Sequence, residues 1–103
     1  MGMERVLQFS DAGPSWSAIH DHLVTAGKTV KMRMIDNMPA LADEKPTDDW
    51  RELRVSLGEG MITLRREPGR IRVVVWGNAD AALRSDQEAL AQACMTAGGG
   101  IVT

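Results

Sequence analysis

Apolar positions recur along this chain in two rhythms, one helical and one alternating. Val6, Leu7 and Phe9 mark a short strand over residues 4–9. Ser10-Asp11-Ala12-Gly13-Pro14 breaks the pattern, and Pro14 suits the first position of a helix, where its missing N–H has no partner to lose. Trp16, Ile19, His20, Leu23 and Val24 then recur at offsets of three and four, the stripe of an amphipathic helix. Gly27 is placed to end it with a left-handed cap. Residues 29–35 alternate, with Val30, Met32 and Met34 on one side and Thr29, Lys31, Arg33 and Ile35 on the other.

Residues 36–49 carry Pro39, Pro46 and no sustained pattern, and read as a long acidic, mobile loop with a helical turn near 39–43. Loops of this length are uncommon in compact domains and often serve function. Alternation returns over 50–76 as a three-stranded meander. Leu53, Val55 and Leu57 form one apolar side, then Ile62 and Leu64, then Ile71, Val73 and Val75. Gly58-Glu59-Gly60 and Glu67-Pro68-Gly69-Arg70 supply the turns, the second with the Pro-Gly order of a type II turn. Asn78 is the expected N-cap of a second helix, with Ala79, Leu83, Leu90, Ala93, Cys94 and Ala97 on one face. Gly98-Gly99-Gly100 ends it, and residues 101–103 read as a short last strand or a tail.

These elements predict an α+β fold: a two-layer sandwich of one mostly antiparallel sheet, about five strands, with two helices on one face. The order β-α-β-β-β-β-α-(β) is related to a ferredoxin-like plan, with extra strands between its halves. The expected core is Leu7, Ile19, Leu23, Val30, Met32, Leu53, Val55, Ile62, Leu64, Val73, Val75, Leu83 and Leu90. At 103 residues the chain is expected to form a single domain over 1–103.

Composition narrows the function. Twelve Lys and Arg against 14 Asp and Glu give a net charge of -2, which excludes holding nucleic acid or an anionic membrane by bulk charge. One cysteine excludes an internal disulfide and a cysteine zinc cluster. No apolar run approaches the ~18 residues of a membrane span. Met1-Gly2-Met3-Glu4-Arg5 lacks the layout of a signal peptide, so the expected location is the cytoplasm.

Candidate chemistry is sparse. His20 and His22 point to different sides of their helix and cannot share a metal. Cys94 lies on an apolar stripe near a helix C-terminus, the wrong end for a stabilised thiolate. Asp43-Glu44 and Asp48-Asp49 are loop neighbours without catalytic spacing. Neither glycine cluster is a phosphate loop, and Trp76-Gly77-Asn78-Ala79 reads as a turn and cap. No catalytic residue, metal or cofactor is assigned, and the expectation leans away from an enzyme.

Charge segregation stands out. Residues 50–76 carry six Arg and three Glu, while residues 36–49 carry five acidic side chains and one Lys. The sheet face opposite the helices is expected to show Lys31, Arg33, Arg54, Arg65, Arg72 and Trp76, with Trp50, Ile35, Met61 and Val74 alongside. Three readings follow. The first is a non-enzymatic binding or accessory module, using that face for a protein partner or a second copy as a homodimer. The second is a single-stranded nucleic-acid binder on the same face, with Arg on phosphate and bases on rings. The third is a small-ligand or enzyme site between the acidic loop and the first helix, near His20 and Trp16.

Overall fold

The computed structural model describes residues 3–9, 13–47, 49–58, 60–75, 80–98 and 101–102. Among them, seven strands form one antiparallel sheet and two helices pack on it. The strands are β1 (Met3–Gln8), β2 (Lys31–Ile35), β3 (Met38–Pro39), β4 (Glu52–Ser56), β5 (Ile62–Glu67), β6 (Arg70–Val75) and β7 (Ile101–Val102). The helices are α1 (Trp16–Thr25) and α2 (Ala81–Gly98). The fold is thus the expected α+β class, with a wider sheet than the five strands expected.

The sheet order β3-β2-β4-β5-β6-β1-β7 explains the plan. β6 and β7 are parallel with β1 between them, and α2 makes that crossover. β1 and β2 are also parallel, but α1 carries the chain across β4, β5 and β6. Two split βαβ units therefore share the sheet, and the β4–β5 strands sit between them as the extra pair.

Both helices contribute to one core. Ile19 and Leu23 of α1 and Leu90 and Cys94 of α2 are buried with Leu7, Leu53, Val55, Ile62, Leu64, Ile71, Val73 and Val75 of the strands. Val30 and Leu83, expected in the core, are half-buried against it. The core also takes Trp16, Trp50, Phe9 and Gln87, whose side-chain amide donates to the Val73 carbonyl at 3.0 Å.

Local signals account for the ends. Pro14 is not the first helical residue that the sequence predicts; α1 begins at Trp16 and Ser15 caps it, its hydroxyl accepting from the Ala18 N–H. Gly27 has φ +80 and donates to Val24 O while Lys28 donates to Leu23 O, the paired bonds of a Schellman cap. Gly69 has φ +72, as the Pro-Gly turn requires. The Asn78 cap lies outside the described residues; Asp80 accepts from Leu83 N at 2.8 Å and fills that role. α2 runs on through Gly98, where a Cβ would stand 2.7 Å from both Phe9 and Pro14.

Three sequence expectations are corrected. Residues 36–49 are not one loop, because Asp36 and Asn37 take φ 48 and φ 70 and turn the chain into β3. Two left-handed residues in succession make the turn whose twist matches a two-residue hairpin. Ile35 does not share a face with Arg33: the register shifts between Met32 and Met34, so Met32 stands opposite Val55 and Ile35 opposite Leu53. That irregularity turns Ile35 toward the core and Met34 toward the open face, beside Arg54. Trp50 does not lie on the open face either; it is fully buried before β4 begins.

Candidate functional site

Two surfaces are built well enough to test: the sheet face away from the helices, and a cleft beside α1. The open face carries the expected arginines, but glutamates claim most of them. Glu52 and Arg65 are direct cross-strand partners, and their side chains pair at 3.0 Å. Arg72 bridges Glu4 at 2.7 Å and Glu67 at 2.8 Å, tying β6 to both neighbours. The hydrogen bond from Arg72 holds the Glu67 carboxyl below the ordinary carboxylate range, and Glu67 in turn raises the Arg72 guanidinium. Arg70 also pairs with Glu67. Cross-strand pairs of opposite charge stabilise a sheet modestly.

What remains uncompensated is one corner. Lys31 and Arg54 make no ion pair among the described residues, and Arg33 donates from Nε to the Ser56 hydroxyl at 3.3 Å. Of the six expected binding residues, then, the structure gathers Lys31, Arg33 and Arg54 in one place and commits Arg65 and Arg72 to glutamates. Trp76 lies outside the described residues. Val74 on this face is nearly buried, while Met61, expected beside it, is 44% exposed.

The cleft lies on the helix side, where the third reading placed it. Its volume is about 410 Å³. One wall is α1, which presents Trp16, Ser17, His20 and Asp21; these pair at i, i+4, so two adjacent stripes face inward. Val30 and Met32 form the floor, and Ala42, Asp43, Glu44 and Lys45 form the second wall. Trp16 and His20 hold each other, with ring centroids 6.0 Å apart and planes tilted by 45°.

The second wall is positioned by backbone pairing. Ala40 donates to Arg33 O and Met32 donates to Ala42 O, each at 3.0 Å, so the chain continues along β2 beyond β3. Asp36 anchors the hairpin from behind, its carboxylate accepting from Arg51 N at 2.7 Å and Glu52 N at 2.9 Å. A turn then closes as Glu44 N donates to Leu41 O and Leu41 N donates to the Glu44 carboxylate. This fixes Asp43 and Lys45 beside the cleft without using their side chains.

The other candidates lie away from this cleft. His22 lies in a separate groove between α1 and α2, with Ala89 and Gln92. Cys94 is fully buried, and burial pushes its thiol up to about 12. Among the described residues, no three His, Cys, Asp or Glu side chains stand close enough to hold a metal ion, and no helix is long and apolar enough to cross a membrane. Sequence reasoning missed Arg66, whose guanidinium lies 4.1 Å from the Trp50 ring centre and donates to Pro14 O. The signal was available: in β5, Arg66 has the parity of Ile62 and Leu64, not of Arg65.

Comparison with protein-family models, with curated proteins and with solved structures finds no match.

Proposed function

We propose that this chain is a non-enzymatic binding module whose ligand site is the cleft between α1 and residues 42–45. The observation that carries this reading is the cleft itself: about 410 Å³, an apolar floor, and polar side chains converging from two walls. Small-molecule sites have this size and make-up. Binding is favoured over catalysis because His20 makes no hydrogen bond among the described residues. A general base is ordinarily oriented by a bonded carboxylate or carbonyl.

Amide shift mapping of labelled protein tests this reading, with a panel of amino acids, amines, dicarboxylic acids and nucleosides. Shifts grouped at residues 16–21, 30–32 and 42–45 are expected. Silence across the panel, or shifts confined to the open sheet face, overturns it.

A second reading keeps the open face as a contact for a protein partner or a second copy. It is favoured by the alternation of Glu52, Arg65, Glu67, Arg72 and Glu4 across adjacent strands. A face bearing both signs suits another such face better than a polyanion. Sedimentation across a range of concentrations tests the self-association form; a single monomer at every concentration removes it.

A further inference from the structure

We infer that the cleft recognises a small organic cation, an ammonium or guanidinium group on a short alkyl chain. This rests on the cleft being the ligand site. Its walls carry Asp21, Asp43 and Glu44 against Lys45, an excess of negative charge inside a concave surface. Low-dielectric walls focus such a field and raise the local concentration of the opposite charge. The carboxylates are not equally free. Glu44 already accepts from Leu41 N, whereas Asp21 and Asp43 make no hydrogen bond or ion pair among the described residues. Two unengaged carboxylates, one on each wall, are therefore offered to whatever enters.

The remaining lining selects the kind of cation. Val30 and Met32 give an apolar floor, and Trp16 adds an aromatic ring. Such surface contributes to holding the methylene groups of a ligand. A bare metal ion gains nothing from it, and the acidic and histidine side chains here are not clustered for metal ligation. An anionic ligand meets the wrong sign at this cleft, while Lys31, Arg33 and Arg54 sit on the opposite side of the sheet.

Agmatine, with glutarate as the matched anion and 1-butanol as the neutral probe, tests the inference by amide shift titration. Agmatine is expected to bind and saturate with shifts at residues 16–21 and 42–45, and glutarate is expected to be silent. Asp43→Asn and Asp21→Asn should each weaken agmatine about fivefold, and Lys45→Ala should strengthen it by a similar factor. Asp86→Asn, on α2 away from the cleft, should change nothing. A capped Gly-Arg-Gly peptide separates a free amine from a side chain of another protein; binding of the peptide without agmatine overturns the small-molecule assignment. Shifts at the cleft with glutarate or butanol but not agmatine overturn the cation inference and leave the cleft reading standing. Silence of all the probes, with silence across the wider panel, overturns both.

Discussion

Cys94 is fully buried on α2, and desolvation alone pushes its thiol up to about 12. Burial disfavours the thiolate, so the folded protein holds a neutral, inaccessible sulfur. The unfolded chain ionises this group near the ordinary value of 9.0. Because the folded value is the higher one, this group's contribution to stability is complete below pH 9 and falls as the pH climbs from there toward 12. A disulfide reagent at neutral pH should leave Cys94 untouched in native protein and label it fully in denaturant. Rapid labelling without denaturant would sink this assignment. The apolar stripe around Cys94 made its fate legible from sequence. Trp50 was not legible in the same way. Its parity was extrapolated from a strand that begins only at Glu52, and outside a strand parity carries no information. Arg66 then covers its ring, a contact between residues that no periodicity relates.

At the scale of elements, the decisive device is the Asp36-Asn37 turn. It converts the start of an acidic stretch into a hairpin that protects the β2 edge and delivers residues 42–45 to the cleft. Pro39, on the outermost strand, lacks the N–H that another chain would pair with. The turn was readable in principle, since Asp and Asn tolerate left-handed backbone better than most residues. The proline content of the segment masked it. Asp36→Ala removes the acceptor for Arg51 N and Glu52 N and puts a less tolerant residue at φ 48. It should cost about 2 kcal/mol, read as a lower denaturant midpoint at unchanged slope. Amide shifts should spread through residues 38–45, while Asp36→Asn, which keeps an acceptor oxygen, should lose much less. A variant Asp36→Ala with wild-type stability and an unchanged spectrum would show that the second wall is held by other means. The β2 irregularity, by contrast, was invisible. Strict alternation was the only pattern available, and a single register shift reverses the side of every residue after it.

On the scale of the whole molecule, the two-layer plan was legible because each layer writes its own period into the sequence. The width of the sheet was only partly so: residues 101–103 offered a last strand or a tail without deciding between them, and β3, two residues long, is too short to show a period. Charge was legible as a count but not as an arrangement. Six arginines over residues 50–76 read as a basic face, yet the register sets Glu52 against Arg65 and brings Glu4 and Glu67 to Arg72. This decides how the face treats single-stranded nucleic acid. Among the described residues of this face, only Lys31, Arg33 and Arg54 remain outside ion pairs to neutralise phosphate, and single strands release about 0.7 counterion per phosphate neutralised. The logarithm of affinity should then fall with a slope of about -2 against the logarithm of salt, about tenfold for each threefold rise in concentration. An oligothymidylate should therefore associate only at low salt, and Arg54→Ala should flatten the slope while Arg65→Ala leaves it nearly unchanged. Fluorescence anisotropy across a salt series measures both. A slope near twice that value, or an equal loss from Arg65→Ala, would mean that the glutamates surrender their arginines to phosphate, and the open face would then be a nucleic-acid surface after all.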